Sequence, residues 1–221
     1  MTMQVTSIKT FILCLFLLPV TLFAEVGDDP IVELQRDWAV ANYKLSGNDQ
    51  ERAYEDLIVR ADSAVAANPA SAEILIWNGI IKSSYAGTRG GLGALSLAKQ
   101  AKKSLESAIE VNGDALSGSA YTSLGTLYFK VPGWPLGFGS DKKAAKMLEK
   151  ALEINPDGID SNYFYADYLL HKKQYAMAEK YLLRAQEAAP REDRPLADLG
   201  RRKEIHAALS LAREQNQLSG S

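Results

Sequence analysis

The sequence has little of the material from which most metal and thiol centres are built. It contains one cysteine, Cys14, and two histidines, His171 and His206, which lie far apart in the chain. A structural zinc site needs four Cys or His ligands, and a nucleophilic thiol needs a nearby base, so neither arrangement is expected. No metal and no cofactor are therefore predicted.

An excess of charge of one sign is also missing. The 221 residues include 25 Lys and Arg against 27 Asp and Glu, a net charge of -2. This balance gives no electrostatic driving force for binding nucleic acid or an anionic membrane surface. Hydrophobic residues make up 47% of the chain, which is enough to form a core without disulfides or a structural metal.

The one long apolar run lies at the N-terminus, over residues 11–22, and ends shortly before Ala24. About a dozen residues are fewer than the roughly 20 that span a bilayer, and this layout is typical of a secretory signal peptide. We expect residues 1–24 to be removed on export to the periplasm or outside, with an uncleaved anchor as the alternative. Because Cys14 lies within the run, the mature chain would contain no cysteine.

Helical periodicity and helix stop signals alternate through the rest of the chain. No stretch shows the period-two alternation of a β-strand. We expect one all-α domain over residues 25–214, without a membrane span, and a polar flexible tail over residues 215–221. The nine predicted helices cover residues 30–46, 50–67, 70–86, 93–111, 116–130, 141–154, 158–171, 174–188 and 195–213.

A 34-residue internal repeat explains the number of helices. Pro156 and Pro190 are 34 residues apart, and a small, a bulky and a small residue recur at fixed offsets before each helix stop. Small residues let paired helices approach closely, while the bulky residue fills the gap between them. The three matching sets are Ala101, Leu105 and Ala108; Ala144, Leu148 and Ala151; and Ala178, Leu182 and Ala185.

With Leu124, Gly125 and Tyr128 in a first helix, these residues resemble the tetratricopeptide repeat (TPR) family over essentially the whole mature region. The N-terminal unit fits less well, because Leu57 and Ala61 exchange the bulky and small roles. The resemblance implies a right-handed TPR-type solenoid of about four helix pairs plus a C-terminal capping helix.

A narrower resemblance rests on residues 121–156, 160–167 and 194–201. These segments are similar to periplasmic TPR proteins related to the T component of tripartite ATP-independent periplasmic (TRAP) transporters, the TatT-like subunits. The resemblance implies a non-enzymatic adaptor that meets a periplasmic solute-binding protein and offers a groove or pore to a small lipophilic molecule. A lipid-attachment cysteine, which tethers many such subunits, is not well placed in this sequence.

Two other functions stay open. A general TPR scaffold for envelope protein assembly would bind peptide segments in its groove. An envelope hydrolase would depend on Asp or Glu residues, which are present in number but form no recognisable catalytic motif.

Two insertions interrupt the repeat at equivalent turns, with about ten extra residues in the second unit and about seven in the third. We expect them to form neighbouring loops on one edge. The first, over residues 86–93, is glycine-rich and contains Arg89. The second, over residues 131–139, holds Trp134 and Phe138 among prolines and glycines. These two aromatic residues either meet a partner or plug the edge of the solenoid.

The first helix of each pair is expected to line a concave groove, in which Phe129, Tyr163, Asp167 and His171 are the candidate partner-binding residues. Because the groove positions are amphipathic rather than strongly charged, a peptide or a lipophilic molecule is favoured over a ligand held by a cationic clamp. His171, at a helix end, is expected to interact with the helix dipole rather than to act in catalysis. The interleaved charges of the last helix are expected to form a solvated face.

Overall fold

The computed structural model describes residues 29–220, apart from the side chain of Leu92. This part of the chain contains nine helices and no β-strand. The predicted signal peptide lies outside it. The helices are α1 (Pro30–Tyr43), α2 (Gly47–Ala67), α3 (Ala72–Arg89), α4 (Gly91–Asn112), α5 (Ala115–Lys130), α6 (Asp141–Ile154), α7 (Ile159–His171), α8 (Tyr175–Glu187) and α9 (Pro195–Gly220).

The prediction of an all-α chain with nine helices is confirmed for the described residues. The start signal of α1 works as expected: Asp29 caps the helix by accepting a hydrogen bond from the Ile31 backbone N–H at 2.9 Å. The last helix is longer than predicted. It runs through Gly220, so residues 215–220 are helical rather than a flexible tail. No helix among the described residues is both long and apolar enough to cross a membrane.

Consecutive helices pack as four pairs, and the small-bulky-small sets lie at the centre of three of them. All nine residues of these sets are fully buried. A Cβ added to Gly79 would lie 2.6 Å from Cγ of Leu105, and one added to Gly125 would lie 2.7 Å from Cγ of Leu148. The bulky leucines of α4 and α6 therefore pack directly against backbone that has no side chain, which explains the close approach within these two pairs.

The C-terminal helix does more than cap the last pair. Ile205 and Leu209 of α9 share a hydrophobic core with Leu182 of α8, as a cap requires. The N-terminal half of the same helix reaches α1, where Ala197 joins the core that contains Trp38. The helices α1, α3, α5, α7 and α9 then follow one another in contact around a circle that closes between α9 and α1.

The α9–α1 contact depends on close packing. A side chain at Gly200 would collide with the ring of Tyr43, so glycine lets the two helices meet there. The Tyr43 hydroxyl also lies 3.5 Å from Oε2 of Glu204. Burial raises the pKa of Tyr43 to about 12, so the hydroxyl stays protonated and can donate to this carboxylate at neutral pH.

Candidate ligand-binding cavity

The circle of helices surrounds a cavity of about 1060 Å³. Its walls come from α1, α3, α4, α5, α7 and α9 and from the segments that precede α6, α7 and α9. Cavities that bind drug-sized molecules have volumes of roughly 300 to 1,000 Å³, so this one is large enough for such a ligand.

One part of the wall is apolar. The residues of this apolar wall are Ile80, Ala86, Ala94, Leu95, Ala98, Leu127, Val131 and Leu136. Neighbouring hydroxyls add little polarity, because Ser83 and Thr126 donate hydrogen bonds to backbone carbonyls one turn earlier in their own helices. This surface favours a hydrocarbon chain or ring over a strongly hydrated ligand.

Both insertions contribute to the cavity wall. The first is not a loop. Helix α3 continues to Arg89 and α4 begins at Gly91, so only Gly90, with φ of 67°, separates them. The insertion therefore lengthens two helices, and the exposed guanidinium of Arg89 lies 5.4 Å from the centre of the Tyr85 ring instead of in a recognition loop.

The second insertion is a true loop in which the two aromatic residues have different surroundings. Trp134 is 89% exposed. Phe138 packs edge-on against Tyr128, with ring centres 5.9 Å apart, and Nζ of Lys102 lies 5.9 Å above its ring. Leu136, between them, is exposed and also lines the cavity. Phe138 therefore anchors the loop, while Trp134 faces solvent.

This difference in packing predicts that only one of two alanine variants loses stability. Trp134→Ala should leave the melting temperature within about 1 °C of wild type, because an exposed ring contributes little to stability. Phe138→Ala removes a packed ring and should lower the free energy of unfolding by about 2 kcal/mol. Thermal and urea unfolding followed by circular dichroism measure both effects. Equal losses for the two variants would contradict the placement of Trp134.

The remaining predicted groove residues do not line the cavity. Phe129 is a core residue, 6% exposed, and packs against the Tyr168 ring. Asp167 pairs with Nζ of Lys130 at 2.8 Å. His171 lies beside the Phe129 ring and 3.5 Å from a carboxylate oxygen of Asp141.

Tyr163 does not line the cavity either. The guanidinium of Arg201 lies 4.4 Å from the centre of its ring and 4.4 Å from that of Phe164. On α7, the cavity is lined by Asp160, Ser161 and Phe164. The residues of α7 that line the cavity therefore differ from the groove positions predicted there, and partner binding by the predicted positions stays a prediction.

An ion-pair network holds α9 and the segment before it against α7. Asp160 accepts hydrogen bonds from Arg191 at 2.7 Å and from Arg201 at 2.8 Å. Arg191 also donates to Asp198 at 2.7 Å. Burial alone would raise the pKa of Asp160, but the guanidinium groups of Arg201 and Arg191 hold it well below its ordinary value. The network therefore stays charged at neutral pH.

Arg194 lies in the same wall but outside this network. Its guanidinium stacks over the indole of Trp77, 4.9 Å from the ring centre. Its Nε atom is buried and makes no hydrogen bond among the described residues, and the same is true of Nε1 of Trp77. Burial and the charge of Arg191 lower the pKa of Arg194.

Sequence reasoning missed these arginines because it assigned the charges of the last helix to a solvated face. The sequence does contain an indication of this network, because charged residues are frequent immediately before α9 and in its first turns. Arg191, Arg194, Asp198 and Arg201 follow one another within 11 residues. Such a cluster can form a helix-docking network as well as a solvated surface.

Among solved structures, the chain is similar to TTC0263, described as a thermophilic TPR protein in Thermus thermophilus. The TM-score is 0.58 and the identity 18%, over 83% of this chain and 82% of that one. This chain has the TPR fold. A second similar structure is that of MamA, with a TM-score of 0.44 and 18% identity over 80% of this chain and 98% of that one. No family model and no curated protein matches the sequence.

The four helix pairs and the cap of the TPR fold are thus those that the sequence predicts. The particular features of this TPR chain are the contact between α9 and α1 and the cavity inside the resulting circle. In a TPR solenoid that stays open, the inner helices would instead present a concave groove to solvent.

Proposed function

We propose that this protein is an exported, non-enzymatic binding subunit that carries a small lipophilic molecule inside its TPR ring. The observation that carries the proposal is the cavity of about 1060 Å³ with a largely apolar wall. A hydrocarbon surface of this kind gains free energy when a lipophilic ligand replaces water. The TPR fold itself is consistent with a protein-binding role as well.

Closure of the ring favours a small molecule over a peptide. A peptide that binds an open TPR groove approaches from the side, along the row of first helices. Here α9 joins α1 across that side, through Ala197 and the packing of Gly200 on Tyr43. We therefore place the general peptide scaffold second.

We further propose that the protein is a periplasmic component associated with a TRAP transporter, and that it docks a solute-binding protein at the second insertion. Trp134 is 89% exposed and Leu136 is 73% exposed, and Leu136 also lines the cavity. A partner that covers these two side chains would lie beside the cavity, where a ligand could pass between the proteins. Exposed aromatic residues of this kind are frequent anchors in protein interfaces.

Asp160, one of three acidic residues in the cavity wall, does not favour a hydrolase. A carboxyl group that acts as a general acid needs a raised pKa, and both arginine partners lower the pKa of Asp160. The carboxylate is also committed to hydrogen bonds with Arg191 and Arg201. Its geometry supports a structural role.

The proposal is tested with the chain from residue 25 onwards, titrated with decan-1-ol by isothermal titration calorimetry. We expect saturable one-to-one binding, and native mass spectrometry of protein taken from its own host is expected to show a bound lipophilic molecule. Non-saturable uptake of decan-1-ol together with an empty protein in the mass spectrum would contradict the proposal. For the transporter association, we expect a solute-binding protein to copurify with the wild type. We expect this copurification to be lost in Trp134→Ala.

A further inference from the structure

Although the whole chain is nearly balanced in charge, the surface formed by α4 and α6 is strongly positive. Residues 95–105 and 138–148 contain six lysines, one aspartate and no arginine or glutamate. In each helix, one lysine lies two residues before and another two residues after a buried alanine of the repeat, Ala101 in α4 and Ala144 in α6. The residues of this lysine patch are Lys99, Lys102, Lys103, Lys142, Lys143 and Lys146.

The second insertion joins the lysines of the two helices into one surface. Nζ of Lys102 lies 5.9 Å from the centre of the Phe138 ring, and Nζ of Lys143 lies 5.4 Å from the centre of the Tyr128 ring. These two rings pack edge-on against each other. The lysine patch is therefore continuous across the boundary between the second and third helix pairs.

Neighbouring carboxylates leave most of the lysine patch uncompensated. Glu106 pairs with Lys102 at 2.7 Å, and Asp141 pairs with Lys172, outside the patch, at 2.7 Å. The other five lysines of the patch are exposed, and no ion pair is found for them among the described residues. These five charges are therefore available to an anionic partner.

An apolar tip lies beside the lysine patch. Phe138 holds the loop of the second insertion against Lys102, and the Cα atom of Trp134, four residues earlier, lies within about 14 Å of that of Phe138. Trp134 is 89% exposed and Leu136 is 73% exposed. Tryptophan favours the interface between lipid head groups and hydrocarbon, and clustered lysines are attracted to anionic lipid head groups.

We propose that the lysine patch and the loop tip bind the surface of an anionic phospholipid bilayer. Trp134 and Leu136 enter the head-group region, and the lysines lie over the lipid phosphates. Each lysine near such a surface increases the affinity about fivefold. This inference goes beyond the proposed function, because a ligand can bind in the cavity without any contact between protein and membrane.

A protein with an acidic face fits this surface less well. Protein interfaces are enriched in arginine and depleted in lysine, whereas the patch has six lysines and no arginine. The ammonium group of lysine is a strongly hydrated point charge on a flexible stem. It suits a diffuse layer of phosphates better than the fixed, paired contacts of a protein interface.

The position of the loop relates the bilayer to the cavity. Leu136 also lines the cavity, so a bilayer bound at the loop tip would lie beside it and could supply a lipophilic ligand. The solute-binding protein proposed above would cover Trp134 and Leu136 as well. The protein would therefore bind these two partners in turn rather than together.

The experiment measures cosedimentation of the chain from residue 25 onwards with lipid vesicles. Vesicles of phosphatidylcholine alone are compared with vesicles that contain about one third phosphatidylglycerol. We expect about 100-fold tighter binding to the anionic vesicles at about 0.05 M NaCl. Most of this difference should disappear at about 0.5 M NaCl, because salt screens exposed charges.

Tryptophan fluorescence tests the insertion of the loop tip. Trp38 and Trp77 are buried, so a change of solvent around tryptophan on binding should come from Trp134. The emission of the wild type should shift to shorter wavelength with anionic vesicles, and this shift should be absent from Trp134→Ala. Binding of the wild type without the shift would overturn the insertion of the loop.

A pair of double variants tests the lysine patch. Lys103→Gln combined with Lys146→Gln should weaken binding to the anionic vesicles about 10- to 30-fold and leave the melting temperature unchanged, because both side chains are exposed. Lys44→Gln combined with Lys203→Gln is the matched control. It removes two exposed lysines where α1 and α9 meet, and should change the affinity by less than about twofold.

Three results would overturn the inference. Equal binding to the two kinds of vesicle would show that lipid charge does not matter. Equal losses in the two double variants would show attraction by net charge instead of by the lysine patch. No binding to anionic vesicles at low salt would leave an acidic protein as the partner of the patch. None of these results affects the decan-1-ol titration, which tests the proposed function separately.

Discussion

Replacement of both Ser123 and Thr126 by tryptophan is expected to abolish saturable binding of decan-1-ol while the protein stays folded. Both residues line the cavity from α5, one helical turn apart. Two indole rings would project from the same wall and occupy the space into which a ligand must fit. The side-chain hydrogen bond of Thr126 to the carbonyl of Thr122 would be lost, at little cost in an intact helix.

Controls for this variant use the same positions. Ser123→Ala and Thr126→Val change polarity but add almost no bulk, so this pair should bind decan-1-ol about as well as the wild type. Circular dichroism and thermal unfolding establish that the tryptophan variant keeps its helices. Wild-type affinity in a folded tryptophan variant would show that the ligand lies elsewhere, on the surface of the protein rather than inside the ring.

Asp160→Ala is expected to reduce the free energy of unfolding by about 3 kcal/mol, which corresponds to roughly 10 °C in melting temperature. Asp160 joins Arg191 to Arg201, and its removal takes the shared carboxylate from both guanidinium groups, which leaves Arg191 with Asp198 and Arg201 with Glu204. The loss is large because two hydrogen bonds between charged groups, each worth about 1.5–3 kcal/mol, disappear together. Urea unfolding followed by circular dichroism measures it.

The pH dependence of the same variant provides a check on the cause. The folded state lowers the pKa of Asp160, so its contribution is fully present above the pKa of an unfolded aspartate, about 3.9. It is lost as the pH falls below that value towards the folded pKa. Between about pH 4 and pH 2, wild type should therefore lose more stability than Asp160→Ala, and the two curves should converge.

A neighbouring acid serves as the matched control. Asp157 lies three residues earlier, is exposed, and also lines the cavity. Asp157→Ala should change the free energy of unfolding by less than about 0.5 kcal/mol. A loss in Asp160→Ala no larger than in this control would mean that the network contributes little to the docking of α9.

The helix pairs were predictable because their determinants are local. The repeat at Ala101, Leu105 and Ala108 predicts which residues meet inside one pair, and the partner helix, α3, lies within a few dozen residues before them. Helix stops at Pro156 and Pro190 gave the boundaries to within a few residues. Contacts of this range depend on spacing in the sequence, and spacing is visible without a structure.

The insertions were predictable in position but not in conformation. The spacing of the repeat predicted that both insertions lie at one edge of the solenoid, and residues of both line the same cavity. The spacing did not show that residues 86–89 prolong α3, because a glycine-rich sequence is compatible with both helix and loop. Likewise, Trp134 and Phe138 lie in similar sequence surroundings, and only the position of Tyr128 selects Phe138 as the half-buried member.

The conformation before the regular part of α5 was also invisible in the sequence. Leu116 and Ser117 both have positive φ values, 47° and 55°, followed by Gly118 at 74°. For residues other than glycine this left-handed conformation is unfavourable by roughly 1–2 kcal/mol each, and Leu and Ser are not residue types that predict it. The turn places Leu116 and Ser117 in the cavity wall, where packing maintains the conformation.

The sequence by itself determined the helices, their pairing and the number of repeats, because each depends on residues close together in the chain. Only the tertiary structure decided that the spiral closes. Closure joins α1 to α9, through Trp38, Tyr43, Ala197 and Gly200, across more than 150 residues. No periodic pattern encodes a contact between the two ends, since it depends on the accumulated rotation of the four pairs between them. That rotation turns a groove into a cavity and brings Arg194 onto Trp77.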